Sequence, residues 1–498
     1  MSNYGVGTWP ARRARIDGTA VAFRQEGRTL TYQQLADRVN AVAAAMSAMG
    51  VRRGDRVGYL GLNDIAGFEV FFAATLLGAI FAPYNWRLAP PEIAYLVGDS
   101  DPAILVHAPG FTDAVAGLPV RRVTLGEEYD ILAASAVPPP DPVDVALDDD
   151  AVILYTSGTT GYPKGAVLTH ANLTFNTMNQ LAHADVLSTD TALCISPLFH
   201  ATGLGQVSLP IFFKGATIVI LPKFDPATVL AAIEELGIAS FSAVPTMLQM
   251  LADHESFAST DLSSLRYVIY GGSAVLERVA IAWQKRGVPI LQGYGMTEAS
   301  PGVTMAALRG AGEHPVSIGV PHFFTDITFD PASAAAAPGE SGELLVRGPN
   351  VFRGYWGRPG ETATALDGGW YHSGDVVRVG EDGWAYVIDR VKDLIISGGE
   401  NVYPSEVERE LAALPGVMDA AVIAAHDERW GEVPVAFVVT DPAAVELNEE
   451  SVRESLTGRL ASFKIPRRVY FVDQLPRTAT GKIRKDALRG SLHIQELQ

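Results

Sequence analysis

The run Tyr155-Thr156-Ser157-Gly158-Thr159-Thr160-Gly161-Tyr162-Pro163-Lys164-Gly165 packs hydroxyls and glycines together and ends on a lysine. Glycines let backbone N–H groups turn inward and hydroxyls add further donors, so the run can close around phosphate oxygens. Lys164 supplies a compact positive charge suited to a polyphosphate. A Walker loop would continue Gly-Lys-Ser/Thr, whereas Gly165 and Ala166 follow Lys164 here. Read alone, the run is also compatible with a plain polar loop. In Gln292-Gly293-Tyr294-Gly295-Met296-Thr297-Glu298, Tyr294 can stack on a flat base, Thr297 can donate to a phosphate and Glu298 can hold Mg²⁺ beside it. A tight turn before an acid at a helix start would leave the same trace. Tyr270-Gly271-Gly272-Ser273-Ala274 allows the backbone close to that base, or simply ends a strand. In Tyr371-His372-Ser373-Gly374-Asp375, Asp375 can accept from both hydroxyls of a ribose, and Arg390 in Asp389-Arg390-Val391-Lys392-Asp393 can reach ribose or phosphate. Arg477-Thr478-Ala479-Thr480-Gly481-Lys482 places Lys482 on a mobile-looking Gly/Thr loop, where spacing alone favours a solvated lysine.

The elements around these stretches alternate. Val21–Arg24 reads as a strand and Glu26-Gly27 as a turn. Thr31 with Gln34 forms a capping box for a helix whose apolar face is Leu35, Val39, Val42, Ala43 and Met46, stopped at Gly50. Val57–Leu60 reads as a buried strand, and Asn63-Asp64 starts an apolar helix in which the run Val70–Ala82 is expected to be buried. This alternation predicts a parallel α/β layer, and a second one spans Ala151 to about Gly310. The proline-rich stretch Val137–Pro142 reads as a surface connector. Short strands with glycine turns between Gly339 and Val391 predict a small antiparallel sheet or barrel. Beyond Lys392 come a helix from Pro404, strands near Ala420–Ala425 and Val435–Val439, a helix near Asn448–Ala461 and a basic tail.

With 498 residues, 48% of them hydrophobic and 19% charged, the chain is long enough for two or more ordered domains. Its net charge of −18 argues against a nucleic-acid-binding face, so any positive charge that meets anionic substrates has to be local. The single cysteine, Cys194, excludes an intrachain disulfide and a CxxC metal site, and its apolar neighbours predict a buried structural thiol. Met1–Arg15 lacks an apolar signal core, and no run reaches the length of a membrane-spanning helix. A cytoplasmic protein is expected. Peripheral membrane contact and oligomeric state stay open.

In this order the stretches resemble the adenylate-forming superfamily of acyl-CoA synthetases, luciferases and peptide-synthetase adenylation domains. The likeness runs from Thr31 to Lys482 and includes Pro197-Leu198-Phe199-His200, Gly342-Glu343-Leu344, Gly354-Tyr355-Trp356 and Ser397-Gly398-Gly399-Glu400-Asn401-Val402-Tyr403-Pro404. It implies an α/β fold. A large N-terminal domain, residues 1–391, would hold two α/β subdomains and a small β-barrel. A smaller α+β C-terminal lid, residues 392–498, would be hinged at Lys392. It also implies ATP, Mg²⁺ and coenzyme A as reactants and cofactors, with acyl-AMP formed first and acyl-CoA second. Carried over by motif, Thr156, Ser157, Gly158, Thr159, Thr160, Gly161 and Lys164 hold the β- and γ-phosphates. Gly272, Ser273, Ala274, Tyr294 and Gly295 frame the adenine. Thr297 meets the α-phosphate, Glu298 holds Mg²⁺, Asp375 and Arg390 fix the ribose, and Lys482 reaches the reacting carboxylate. Gly398 and Gly399 would line the CoA channel after the lid turns, with His200 moving at the pocket mouth.

Amino-acid-activating relatives place an Asp after the Phe that here precedes His200, so an amino acid substrate is disfavoured. Gly7–Arg15 and Gly295–Val303 look most like bacterial feruloyl-CoA synthetases and nearby fatty-acid ligases. The acyl pocket expected past His200, Ala201, Val244, Gly271, Gly295, Met296 and Pro301 is small or apolar, which suits an acid with an apolar body. A hydroxycinnamate and a medium or long fatty chain both qualify, with a lean to the former. A serine hydrolase built on Ser157 or Ser273 with His200 and Asp375 lacks a Gly-x-Ser-x-Gly elbow. A silent nucleotide-binding module would not need Lys164, Glu298, Asp375, Arg390 and Lys482 together. Luciferase-type oxidation shares the fold and is separated only by a light or oxygen-uptake test.

Overall fold

Every residue from Ile65 to Thr75 on the helix Ile65–Leu76 is buried, Glu69 included. A computed structural model, which describes residues 3–135, 143–156, 163–272, 275–310, 314, 317–330, 341–390, 393, 395–397, 400–427, 430–441, 447–457, 459–460, 462–478 and 481–495, shows why. Phe68 packs 4.8 Å from Phe23 on the strand Val21–Gln25, while Phe71 packs 5.6 Å from Phe81 on the strand Ile80–Pro83. Those strands belong to two different sheets, so the helix is sandwiched between them. Glu69 tolerates this position because Arg38 Nε donates to it at 2.5 Å and the Tyr129 hydroxyl at 2.9 Å.

Both sheets lie in the larger of two compact units, Met1–Ile327 with Val346–Tyr371. The first has nine strands. Its centre is parallel, running through Val21–Gln25, Thr217–Ile220, Thr191–Cys194, Ser240–Ala243, Tyr267–Tyr270 and Ile290–Gly295. The second has seven strands, with the antiparallel pair Asp150–Thr156 and Lys164–Thr169 joined to a parallel group. The expected parallel α/β layers are therefore present. The Thr31–Gln34 capping box forms, and Asp64 caps its helix by accepting from the Ala66 N–H. Cys194 is buried, and burial pushes its thiol up to about 11.

The run Val70–Ala82 is not one buried helix. The helix ends at Leu76, Gly78 turns with φ of +69°, and Ile80–Pro83 is a strand. An unbroken apolar run fits a buried helix and a buried strand equally well, and only the turn divides it. The connector expected at 137–142 lies outside the described residues.

Strands Asp326–Asp330, Ser341–Arg347, Tyr371–Val379 and Ala385–Arg390 line up in that order as a four-stranded sheet, at the place where short strands were expected. The smaller unit, Thr328–Leu345 with His372–Gln498, includes a five-stranded sheet around Val417–Asp427 and Gly431–Thr440. Alternate residues face two cores. Val422, Ala436 and Val438 join Val407, Leu411 and Val452, while Ile423, Val435 and Phe437 join Leu488 and Leu492. The helix expected over Asn448–Ala461 is shorter, Glu449–Leu456, because Thr457 leaves helical geometry with ψ of 129°. No helix among the described residues is long and apolar enough to cross a membrane.

Candidate active site

In the nine-stranded sheet the expected site residues gather at the carboxyl ends of neighbouring parallel strands. Val244 follows Ser240–Ala243, Gly271 and Gly272 follow Tyr267–Tyr270, and Tyr294 and Gly295 close Ile290–Gly295. Open α/β sheets bind ligands in this crevice. Glycine is needed here for two different reasons. A side chain at Gly271 would lie 2.8 Å from the Gly293 carbonyl of the next strand, and one at Gly295 would run into the Pro301 carbonyl. Gly272 instead has φ of +92° with open space beside it, so its backbone is bare toward the crevice.

The loop Pro197-Leu198-Phe199-His200 follows the strand Thr191–Cys194 and is tied down by Asn63, which donates to the Ser196 carbonyl at 3.1 Å and accepts from the Leu198 N–H at 3.1 Å. His200 packs against Phe199 at 4.4 Å. The residue as a whole is half-buried, but the ring edge carrying Nε2 is sealed and has no hydrogen-bond partner among the described residues. Burial, aided by nearby Arg87, lowers its pKa to about 4, so the ring is neutral at pH 7. Ala201, the next residue, is buried.

Thr297-Glu298-Ala299 form a single 3₁₀ turn with Met296 as its N-cap and Ser300 left-handed before Pro301. Asn350, fully buried, holds that turn: its Nδ2 donates to the Gly302 carbonyl at 2.7 Å and the Ala299 carbonyl at 3.2 Å. Glu298 is buried, and its Oε1 accepts from the Tyr355 hydroxyl at 2.8 Å. Burial and the Glu298 charge push the Tyr355 pKa up, so the phenol stays protonated and donates.

Thr156 and Lys164 stand opposite each other at the mouth of the hairpin whose loop carries Ser157, Gly158, Thr159, Thr160 and Gly161. Those five residues lie outside the described part of the structure, as do Ser273, Ala274, Lys392, Gly398, Gly399 and the side chain of Arg390. The Lys164 ammonium is ion-paired with Glu361 and sits 5.6 Å from the centre of the Tyr355 ring. The far end of the loop is fixed by the Tyr95 hydroxyl, which donates to the Pro163 carbonyl at 3.2 Å.

In the smaller unit, Asp375 is buried, and the ladder sets it directly opposite Arg390. Lys482 is exposed, and its backbone is bonded to Thr478. The Thr478 N–H donates to the Lys482 carbonyl at 2.7 Å, and the Lys482 N–H donates to Thr478 Oγ1 at 3.1 Å.

No cluster of three or more metal-ligating side chains occurs among the described residues. A single buried carboxylate, Glu298, is the donor set expected for Mg²⁺ that arrives with a nucleotide, because that ion keeps waters and takes most of its remaining oxygens from phosphates. The described residues at this turn fit a magnesium ion brought in by a nucleotide. Three contributors had no role in the sequence reading: Glu361 on Lys164, Tyr355 on Glu298, and Asn350 beneath the turn. Of these only Tyr355 left a trace there, in Gly354-Tyr355-Trp356.

Residues 8–356 match the family described as AMP-binding enzyme, and residues 406–482 match the AMP-binding enzyme C-terminal domain. Similar proteins include a feruloyl-CoA synthase of an Amycolatopsis species, 46% identical over 98% of this chain and 99% of its own. A long-chain-fatty-acid–CoA ligase, FadD13, of Mycobacterium tuberculosis is 34% identical over 92% of each chain. Among solved structures, ATP-bound MatB from Rhodopseudomonas palustris superposes with a TM-score of 0.90 at 32% identity, covering 97% of this chain and 98% of that one.

Proposed function

The chain belongs to the AMP-binding enzyme family and is an ATP-dependent, AMP-forming acid–CoA ligase, and we propose that the acid it activates is a hydroxycinnamate such as ferulate. The observation that carries this reading is the 46% identity, over 98% of the chain, to a feruloyl-CoA synthase. Val244, Gly271, Gly295, Met296, Pro301 and a neutral His200 are all uncharged, which suits an acid with an apolar body.

The reaction begins with two anions that repel each other. Thr156, Lys164 and the loop 157–161 hold the β- and γ-phosphates, with Gly272, Ser273, Ala274 and Tyr294 around the adenine. Asp375 and Arg390 fix the ribose, and Thr297 donates to the α-phosphate. Glu298 would hold Mg²⁺, which would spread the phosphate charge when bound. Lys482 draws the carboxylate oxygen onto the α-phosphorus, and the bond to pyrophosphate breaks as the mixed anhydride forms. The domain from residue 392 onward then turns about Lys392, withdraws Lys482 and brings Gly398 and Gly399 over the site. The CoA thiol loses its proton and attacks the acyl carbon, and AMP leaves with the bonding pair. We place this chemistry in the cytoplasm, where ATP and CoA are available.

The test is a panel of acids with ATP, Mg²⁺ and CoA, reading AMP release and thioester formation. Ferulate, coumarate and caffeate should outrun octanoate and palmitate in kcat/KM. A preference for the fatty acids would move the assignment to the fatty-acid ligases, represented here by a relative at 34% identity. Failure of every acid would defeat the ligase reading itself.

A further inference from the structure

We propose that Tyr355 is a positioning residue for the magnesium nucleotide, coupling the Glu298 carboxylate to the Lys164 ammonium through its two ends. The inference rests on the ligase reading above and adds a residue to it. One end of Tyr355 is polar: the hydroxyl donates to Glu298 Oε1 at 2.8 Å. The other is an aromatic face, with Lys164 Nζ 5.6 Å from the ring centre, inside the range in which a ring quadrupole attracts an ammonium. The residue proposed to hold the metal and the cation proposed to meet the outer phosphates therefore share one rigid side chain.

The surrounding backbone is built to hold that side chain still. The short strand Gly354–Tyr355 pairs with the strand that begins at Lys164, matching Gly354 with Val167 and Tyr355 with Ala166. On one side of it the Trp356 N–H donates to the Gly165 carbonyl, and on the other the Phe352 N–H donates to the Glu298 carbonyl, both at 2.7 Å. The strand is thus a splint between the phosphate-loop exit and the Glu298 turn. Gly354 is required in it. Its φ is +148°, and an added Cβ would lie 2.4 Å from Thr362, whose hydroxyl accepts from the Tyr355 N–H. Phe352 packs edge-on to the Tyr355 ring at 4.8 Å. The hydroxyl's hydrogen bond fixes the direction in which the Glu298 carboxylate points.

Tyr355→Phe removes only the hydroxyl and keeps the ring, and Tyr355→Leu removes both ends. Mn²⁺ replaces Mg²⁺ as a spectroscopic probe, and its binding to the enzyme–ATP complex is followed by electron paramagnetic resonance with no acid present, so no turnover is needed. Tyr355→Phe should weaken Mn²⁺ binding about tenfold while leaving metal-free ATP affinity unchanged. Tyr355→Leu should weaken both, because Lys164 loses its aromatic seat. In a Glu298→Gln background the Tyr355→Phe effect should vanish, since the hydroxyl acts through that carboxylate. Mn²⁺ affinity in Tyr355→Phe within about twofold of the parent overturns the proposal, as does an undiminished effect in the Glu298→Gln background. If the parent enzyme itself fails to hold Mn²⁺ with ATP, the ligase-site reading has failed instead, and the two failures are told apart by that control.

Discussion

Lys482 is an exposed cation on a chain of net charge −18, and its backbone exchanges two hydrogen bonds with Thr478. A lysine that only kept the protein soluble would need no such anchoring, whereas one that must arrive at a reacting carboxylate benefits from a short, stiff base. Lys482→Ala should slow acyl-adenylate formation by about two to three orders of magnitude, the scale for losing one preorganised charge partner. Pyrophosphate release reports that step. Acyl-CoA formation from supplied acyl-adenylate should stay near the parent rate, and equal damage to both steps would contradict the role. Lys482 was marked only by the family resemblance, whereas candidates in the hydroxyl-glycine-lysine run and the Thr-Glu pair were legible because their chemistry sits in adjacent positions. Glu361 and Asn350 were not. Asn350 lies 48 positions from the Gly302 carbonyl it supports, and nothing in its own neighbourhood announces that contact. His200 was expected at the pocket mouth, but its low pKa follows from burial and from Arg87, which the fold supplies.

Elements were readable where local chemistry decides them. The Thr31 capping box, the Asp64 cap and the glycine at 50 mark helix ends through bonds made within a few residues. The run Val70–Ala82 was misread because burial on both faces erases the period that separates helix from strand. The turn carrying Thr297 and Glu298 shows the opposite case, an element too short to hold itself. Asn350 donates to its Ala299 and Gly302 carbonyls and its Oδ1 accepts from Thr325, while Asn176 donates to the Gly205 carbonyl and accepts from the Gly302 N–H. Asn350→Ala would strand two carbonyls and a hydroxyl in a fully buried place. The variant should lose about 2–4 kcal/mol in urea unfolding, given the cost of unsatisfied buried groups. Its KM for ATP should rise more than its KM for CoA, because the turn carries Thr297 and Glu298, the residues proposed to meet the nucleotide. Unchanged stability would mean that water or a shifted backbone replaces the amide.

For the whole molecule, the larger unit carries an acid sensitivity. An unfolded imidazole takes up its proton near pH 6.5, but burial holds His170 down to about 4 and His322 to about 3. His170 Nδ1 accepts from the Val6 N–H at 3.0 Å, a bond that protonation at that nitrogen would break. Between those values the unfolded chain binds more protons, so this stability is complete above pH 6.5 and drains away as pH falls toward 4. At about pH 5 each imidazole should cost on the order of 2 kcal/mol. Calorimetric scans should show the larger unit melting earlier at about pH 5 than at about pH 7.5, and His322→Gln should narrow that gap. The division of labour between domains sets the second expectation. The hinge at Lys392 rests only on its match to the family's hinge position, since a rotation leaves no periodicity in a sequence, and the residue lies outside the described residues. On the proposed roles, Lys482 serves the adenylation step and Gly398-Gly399 the thioester step, so a backbone torsion near Lys392 would have to change between the two half-reactions. Proline fixes φ near −65° and restricts the residue before it, which freezes that torsion in one state without touching a ligand. Lys392→Pro should therefore leave pyrophosphate release from ATP and acid close to the parent in a single turnover, while thioester formation stalls and acyl-adenylate accumulates. An overall rate equal to the parent would place the pivot elsewhere, and loss of both half-reactions together would point to misfolding, which the calorimetric scan distinguishes.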